Sequence, residues 1–120
     1  MASRTLCKLV VNAIEGVKGQ DIVELDVRKL TDVTDYMVIA SGRSRRQVMA
    51  IAQKVIEACR QQGVRPLGTE GEKTGDWVLV DLVDVVVHIM EPEIRDYYQL
   101  EKLWTGHEAP GQPGERLIGS

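Results

Sequence analysis

Hydrophobic residues in this chain change their spacing several times, and these changes limit the folds that it can adopt. Apolar side chains recur every three or four residues, the spacing of amphipathic helices, over residues 6–17, 48–59 and 94–104. Strand-like patterns, either alternating or continuously apolar and β-branched, occupy residues 22–27, 36–40, 77–80 and 85–90. The order helix, strand, strand, helix, strand, strand, helix predicts an α/β fold, a mixed sheet of about four to five strands covered by helices.

Local signals mark where two of these elements begin and turn. Ser44 is followed three residues later by Gln47, a capping-box pattern that predicts the start of the second helix, and Gly63 marks the end of that helix. The β-rich runs 77–80 and 85–90 flank a short connection, so we expect them to pair as a hairpin.

The composition is that of an ordinary globular domain with an aliphatic core. Of the 120 residues, 43% are apolar and 28% are charged, and Phe is absent. Val, Ile, Leu and Ala must therefore fill the core. We expect one domain over residues 1–104 and a mobile Gly/Pro-rich tail over residues 105–120. A formal charge of −3 argues against nucleic-acid binding by bulk electrostatics but leaves a local basic patch open.

Two cysteines and the N-terminal sequence bear on the compartment. Cys7 and Cys59 stand inside apolar helical patterns without a CxxC pair, which predicts buried, reduced thiols. The first residues lack the apolar stretch of a signal peptide, and no segment approaches the roughly 20 apolar residues of a membrane span. We therefore expect a cytoplasmic protein that does not bind membranes.

Nucleotidyl transfer is one function that the sequence raises. Residues 41–44 follow a strand and open a helix, where backbone N–H groups and the helix dipole favour an anion. Positive charge is added there by Arg43, Arg45 and Arg46. Two-metal transfer also requires paired carboxylates, and the only such pair on a predicted strand, Glu24 and Asp26, comes before the glycine turn. A solvated helix start with surface arginines is the favoured interpretation.

A metal or nucleophile site has less support. His88 is the only histidine in a predicted element, and no Cys or second His stands at ligand spacing from it, so we expect no metal. A Cys59–His88 pair is compatible with the spacing, but the position of Cys59 on an apolar stripe favours an inert core thiol.

The predicted hairpin gathers aromatic and polar side chains on one face. Strand alternation places Trp77, Leu79 and Asp81 on one side, and it gives Asp84, Val86, His88 and Met90 a common side on the second strand. Such a surface fits a protein-binding patch with aromatic anchors. The alternative, that Trp77 only closes the edge of the core, has equal support. In the last helix, the adjacent Tyr97 and Tyr98 point about 100° apart, so we expect one of them to face outward or toward a neighbour.

An ordered series of segments resembles the Iojap family of ribosomal silencing factors and covers residues 6–104. The matching segments are residues 18–22, 34–42, 46–48, 70–72, 76–81, 84–88, 95–98 and 100–104. One position departs from the family pattern, since Val83 stands where the family usually has Gly. A β-branched residue resists a positive φ, so we expect either another turn type or local strain at Val83.

The resemblance implies a non-enzymatic role without a cofactor. Family members bind the large ribosomal subunit through its fourteenth protein and keep the small subunit from joining, which represses translation when nutrients are short. The implied fold is similar to the nucleotidyltransferase scaffold without its catalytic carboxylates. The resemblance also suggests a homodimer when the protein is free.

These considerations select candidate residues for the binding surface. We expect the partner-binding patch to comprise Trp77, Asp81, Asp84, Val86, His88, Tyr97 and Tyr98, with the rings as anchors. Arg43, Arg45 and Arg46 are the candidate residues for a contact with ribosomal RNA. A nucleotidyltransferase-type enzyme and an RNA-binding module stay open as alternatives.

Overall fold

Five strands form one mixed sheet in the computed structural model, which describes residues 1–105. The strands are β1 (Gln20–Asp26), β2 (Tyr36–Ser41), β3 (Gly68–Glu70), β4 (Trp77–Asp81) and β5 (Val85–Met90). The helices are α1 (Ser3–Gly16), α2 (Arg45–Gln61), α3 (Pro92–Tyr98) and α4 (Leu100–Thr105). In the sheet order β1-β2-β5-β4-β3, only the β2–β5 pair is parallel. The mixed sheet and the β4–β5 hairpin confirm the predictions, whereas the predicted tail, residues 105–120, lies outside the described residues except for Thr105, the last residue of α4.

The main core lies between one face of the sheet and the helices α1 and α2. Its side chains are almost all aliphatic, as the absence of Phe requires. Residues with no exposed surface here include Val10, Ile14, Val38, Ile51, Val55, Val78, Val80, Val87 and Ile89. Each stabilises the fold by roughly 1.5–3 kcal/mol relative to an exposed position. Cys7 and Cys59 belong to this core as free, buried thiols, as predicted.

The opposite face of the sheet is covered only in part. A second apolar cluster of Val27, Met37, Ile39 and Met90 is packed by side chains from the C-terminal helices, namely Ile94, Leu100 and Trp104. These helices cover the β1–β2–β5 side. The β3–β4 side is left more open, since Leu79 and Asp81 on β4 and Val86 on β5 are only half-buried. One half of one sheet face is therefore available for contact.

The prediction of a single C-terminal helix over residues 94–104 is wrong, because the segment forms two short helices. Gln99 separates α3 from α4 with a left-handed backbone, φ 47° and ψ 47°. The Arg95 side chain holds the two together, with Nη1 donating to Ser41 Oγ at 2.8 Å and Nε donating to Glu101 Oε1 at 2.9 Å. Apolar spacing cannot reveal one left-handed residue, because the helical period on either side of it is unchanged.

The helix starts and lengths agree with the other sequence signals. Ser44 caps α2 by accepting the N–H of Gln47 at 3.1 Å, and the side chain of Gln47 accepts the N–H of Arg43 at 2.6 Å. Gly63 follows the end of α2 with φ +77°, and the N–H of Val64 returns to the Cys59 carbonyl. None of the helices within residues 1–105 has the length and apolarity needed to cross a bilayer.

Candidate docking surface

The uncovered half of the sheet presents the outer face of the β4–β5 hairpin. Antiparallel pairing sets Leu79 opposite His88 and Asp81 opposite Val86, so the predicted alternation is confirmed. The inward-facing neighbours Val78 and Val80 are fully buried in the main core. The hairpin thus anchors one face in the core and offers the other for contact.

Trp77 and His88 are joined across this face. The indole Nε1–H of Trp77 donates to Nδ1 of His88 at 3.0 Å, with the ring centroids 5.9 Å apart. His88 is only 6% exposed, and burial lowers its pKa from 6.5 to about 4. The imidazole is therefore neutral at pH 7. Because Nδ1 accepts a hydrogen bond, the ring proton is assigned to Nε2.

Two tyrosines continue the aromatic surface from α3. Tyr98 packs on Trp77 with ring centroids 5.0 Å apart, and Tyr97 meets the ring of Tyr98 edge to face at 4.9 Å. Both stay exposed, Tyr97 by 79% and Tyr98 by 53%. The prediction that at least one of them faces outward is confirmed, since both do. We call the surface formed by Trp77, Leu79, Val86, His88, Tyr97 and Tyr98 the aromatic patch.

The turn between β4 and β5 carries the remaining predicted residues. Val83 has φ +73°, and the N–H of Asp84 bonds the Leu82 carbonyl at 2.9 Å, which is a strained γ-turn about Val83. Asp81 Oδ1 accepts the N–H of Val83 at 2.8 Å, so this carboxylate supports the turn. Of the two outcomes expected at Val83, the structure therefore favours local strain over a turn that avoids a positive φ, and Val83 is 52% exposed.

Asp84 ties the turn to the neighbouring loop through its backbone. Its carbonyl accepts the N–H of Asp35 at 3.0 Å and the N–H of Tyr36 at 3.1 Å, which fixes the start of β2 against β5. The Asp84 side chain is exposed and makes no hydrogen bond within residues 1–105. That carboxylate is accordingly free to meet a binding partner.

The three predicted basic residues lie together where α2 begins. Their side chains are exposed: Arg43, Arg45 and Arg46. Arg45 Nε lies 4.0 Å from Glu91 Oε1, directly after β5. Since Trp77 pairs with Met90 at this same end of the sheet, the arginines and the aromatic patch share one end of the sheet. The arginines are separated from the patch by the thickness of the sheet, because α2 covers the other face.

The structure does not bring together the groups that nucleotidyl transfer would need, namely the carboxylates of Glu24 and Asp26 and the turn at Gly42. Asp26 pairs with Tyr36 at the start of β2, while Gly42 follows the end of that strand, a separation of about 20 Å at the usual strand rise. Asp26 is bound to Arg28, whose Nη2 donates to Oδ2 at 2.6 Å, which lowers the pKa of Asp26 to about 2. Glu24 instead accepts a hydrogen bond from Cys7 at 3.5 Å.

The cysteine and metal alternatives meet similar obstacles. Cys59 is on α2 and its side chain lies in the main core. His88 faces the other side of the sheet, so the sheet separates the two side chains. Within residues 1–105, no group of three His, Cys, Asp or Glu side chains is placed to hold a metal ion.

Two residues important to the surface were missing from the predicted set. Leu79 lies between Trp77 and Asp81 on the same face, and its alternation with buried Val78 and Val80 was a sufficient signal. Arg95 positions α3, and hence the tyrosines, through Ser41 and Glu101, with only 10% of its side chain exposed. No sequence spacing indicates that contact, since Ser41 is 54 positions away.

Comparison with known proteins gives consistent matches over nearly the whole chain. A family model described as "Ribosomal silencing factor during starvation" matches residues 1–117. A ribosomal silencing factor from Chromobacterium violaceum is 47% identical over 108 residues, which cover 90% of this chain and 88% of that protein. A crystal structure of a protein from the same organism superposes with a TM-score of 0.85 at 48% identity, covering 87% of each chain.

A more distant relative comes from an organelle. The mouse protein named mitochondrial assembly of ribosomal large subunit protein 1 is 34% identical over 100 residues, which cover 81% of this chain and 44% of that longer protein. Fold and relatives together define a class of α/β proteins named for their connection with ribosomes. Within it, this chain belongs to the ribosomal silencing factor (RsfS) family, as the sequence resemblance predicted.

Proposed function

We propose that this chain binds the large ribosomal subunit through its fourteenth protein and thereby blocks the small subunit. The observation that carries the proposal is the aromatic patch, in which Tyr97 and Tyr98 are exposed and Trp77 is half-buried on a partly covered sheet face. Large rings around a tightly packed centre are the side chains that dominate binding energy at protein interfaces. Membership of the RsfS family supports a ribosomal partner for this surface.

Rigid support makes the patch suited to tight binding. Trp77 is fixed by the hydrogen bond to His88 and by the ring of Tyr98, and both strands are anchored in the main core. Side chains that are already held in place lose little conformational entropy when a partner binds. The patch therefore needs no large rearrangement before docking.

The proposed mechanism is steric and requires no cofactor. A specific interface covers about 800 Å² on each partner. A domain seated on the subunit face that meets the small subunit would occupy the space of an intersubunit contact. Translation would fall in proportion to the large subunits occupied. We place this action in the cytoplasm and in conditions of nutrient limitation, as the resemblance to the family implies.

A secondary contact with ribosomal RNA is part of the proposal. Arg43, Arg45 and Arg46 are exposed at the end of the sheet that also carries Trp77, and from there they would contact phosphates once the patch is seated. With a net charge of −3, these residues are expected to orient the bound protein and not to recruit it alone.

Self-association is the second part of the proposal for the free protein. Exposed rings of this kind are sheltered when two copies pair through one surface. A homodimer through the aromatic patch would compete with the ribosome for Tyr97 and Tyr98. Sedimentation equilibrium of the wild type and of Tyr98→Ala tests this point, since a dimer lost in the variant supports it and a monomeric wild type contradicts it.

Sucrose-gradient co-sedimentation tests the main proposal. The purified protein is mixed with isolated large subunits, with and without small subunits, and we expect it to migrate with the large subunit and to reduce joined ribosomes. Tyr98→Ala should weaken this binding, while Glu57→Ala, on exposed α2 across the sheet, is the matched control. Wild-type protein that stays at the top of the gradient would contradict ribosome binding.

The salt dependence of binding distinguishes an RNA-binding module from a protein that docks through the aromatic patch. Binding to naked ribosomal RNA that falls steeply with salt, and that is lost when the three arginines are replaced, would favour an RNA-binding module. Binding that requires the fourteenth protein and persists in those variants would favour the aromatic patch.

A further inference from the structure

The outer ring nitrogen of His88 is a buried hydrogen-bond donor without an acceptor. Nδ1, the nitrogen nearer the backbone, is taken by the indole of Trp77 at 3.0 Å, which leaves the proton on Nε2. Within residues 1–105, Nε2 has no hydrogen-bond partner, although only 6% of the surface of His88 is exposed. Buried polar groups in native proteins are nearly always satisfied, so an orphan donor requires an explanation.

The position of this donor indicates what satisfies it. His88 lies opposite Leu79 on the uncovered half of the sheet, and its ring borders Trp77, which also contacts the ring of Tyr98. Nε2 is the ring nitrogen farther from the backbone, on the sheet face that His88 shares with the half-buried Leu79. The donor thus belongs to the aromatic patch and not to the main core.

We propose that Nε2–H of neutral His88 donates a hydrogen bond to an uncharged carbonyl oxygen of the large-subunit protein, making His88 a specificity-determining residue of docking. This inference rests on the proposed function. It adds the tautomer that binds, the atom that recognises the partner and the chemical class of the atom recognised.

The charge around the hairpin favours a carbonyl over an anionic acceptor. Asp81 lies opposite Val86 on the same face, Glu70 pairs with Leu79 on the adjacent edge strand, and Asp84 directly precedes β5. A carboxylate or an RNA phosphate approaching His88 would meet these three carboxylates. A backbone or amide carbonyl accepts the bond without that repulsion.

Two substitutions separate the functions of the two ring nitrogens. His88→Asn places a carbonyl oxygen near the Nδ1 position, which can still accept from Trp77, but supplies no group at the Nε2 position. His88→Gln carries its amide N–H₂ out to the Nε2 position and gives up the inner acceptor. The pair therefore compares the loss of the partner contact with the loss of the internal one.

Affinity of each full-length variant for isolated large subunits is then measured by titration. We expect His88→Asn to bind about 10-fold more weakly than the wild type, since a carbonyl buried without its donor is costly, and His88→Gln to retain most of the affinity despite lower thermal stability. Nitrogen-15 spectra of the histidine ring in the free protein should show the neutral Nε2–H tautomer at pH 6, whether or not the variants fold.

The outcomes distinguish this inference from the proposed function. If wild type and His88→Asn bind large subunits equally well, the hydrogen bond is refuted and the docking proposal stands. If the wild type does not bind large subunits at all, both the proposed function and this inference are refuted. A ring protonated on Nδ1, or binding of both variants only to naked RNA, would also overturn the assignment.

Discussion

The indole nitrogen of Trp77 and the inner nitrogen of His88 are 3.0 Å apart, and this bond determines what both rings can do. Trp77 is held with its face available to Tyr98, 5.0 Å away. His88 must remain neutral, because a protonated Nδ1 would be a donor facing a donor. One hydrogen bond thus couples the shape of the aromatic patch to the protonation state of a buried side chain.

Acid should destabilise the protein through His88. Burial lowers the folded-state pKa of His88 from 6.5 to about 4, so between these values the unfolded chain binds a proton that the folded chain does not. The free energy of unfolding therefore falls as the pH is lowered from 6.5 to 4, by up to about 3 kcal/mol from this group. Urea unfolding at pH 7 and pH 5 measures the effect. His88→Asn is the control, and an equal pH dependence in both proteins would contradict the prediction.

Val83→Gly should stabilise the fold. Val83 occupies a left-handed conformation at φ +73°, which costs a β-branched residue about 1–3 kcal/mol, while the added chain entropy of glycine offsets about 0.4–1 kcal/mol. We expect a net gain of about 1 kcal/mol and a melting temperature higher by about 4 °C. Val33→Gly is the matched control, because Val33 is 80% exposed in a loop without a positive φ and should gain nothing. A less stable Val83→Gly protein would mean that the turn is unstrained.

Gly71→Ala should damage both the fold and the patch. Gly71 has φ +86°, and an added Cβ would collide with the backbone oxygen of Trp77. We expect a loss of about 2–4 kcal/mol in the free energy of unfolding and weaker binding to large subunits, since Trp77 must shift. In Gly68→Ala the new methyl group meets no atom within 4 Å, which provides the control. Similar melting temperatures for the two variants would refute the collision.

Arg95→Ala should loosen the C-terminal helices. The Arg95 side chain is 10% exposed and donates to both Ser41 and Glu101, so its removal takes away the hydrogen bonds that tie α3 to β2 and to α4. We expect a cost of about 2–3 kcal/mol, reduced from that of a fully buried pair because Glu101 is partly exposed. Lys54→Ala, which removes an exposed pair with Glu57 at 3.8 Å, should change stability by less than about 0.5 kcal/mol. Thermal unfolding measures both, and equal effects would show that Arg95 is not structural.

Most of the fold follows from patterns that the chain carries locally. The alternation around Val78 and Val80 predicted the face of the hairpin, and Ser44 with Gln47 predicted the start of α2. These features depend on neighbours in sequence, which periodicity and capping rules describe well. The same alternation placed Trp77 on the outer face of the hairpin, whereas the tyrosines joined the predicted patch through the family resemblance.

Features created by distant parts of the chain were not accessible in the same way. The break at Gln99 depends on how α4 returns to the sheet, and Arg95 finds Ser41 across 54 positions. The orphan nitrogen of His88 depends on the rotation of its ring toward Trp77. Sequence patterns give the side of a strand on which a residue lies, but not which atom of the side chain is left without a partner.

The left-handed backbone at Gln99 determines the direction in which the side chains of α4 point toward the sheet. A helix continued through Gln99 would advance by about 100° for each residue, so Leu100 and Trp104 would reach the sheet at other angles. Adding or removing a single residue at this position would shift that direction by the same step. The second apolar cluster would lose its cover while Tyr97 and Tyr98 kept their places on α3. The number of residues between the two short helices is thus constrained by the packing of α4, and we expect a change of side chain at this position to cost less than a change of length.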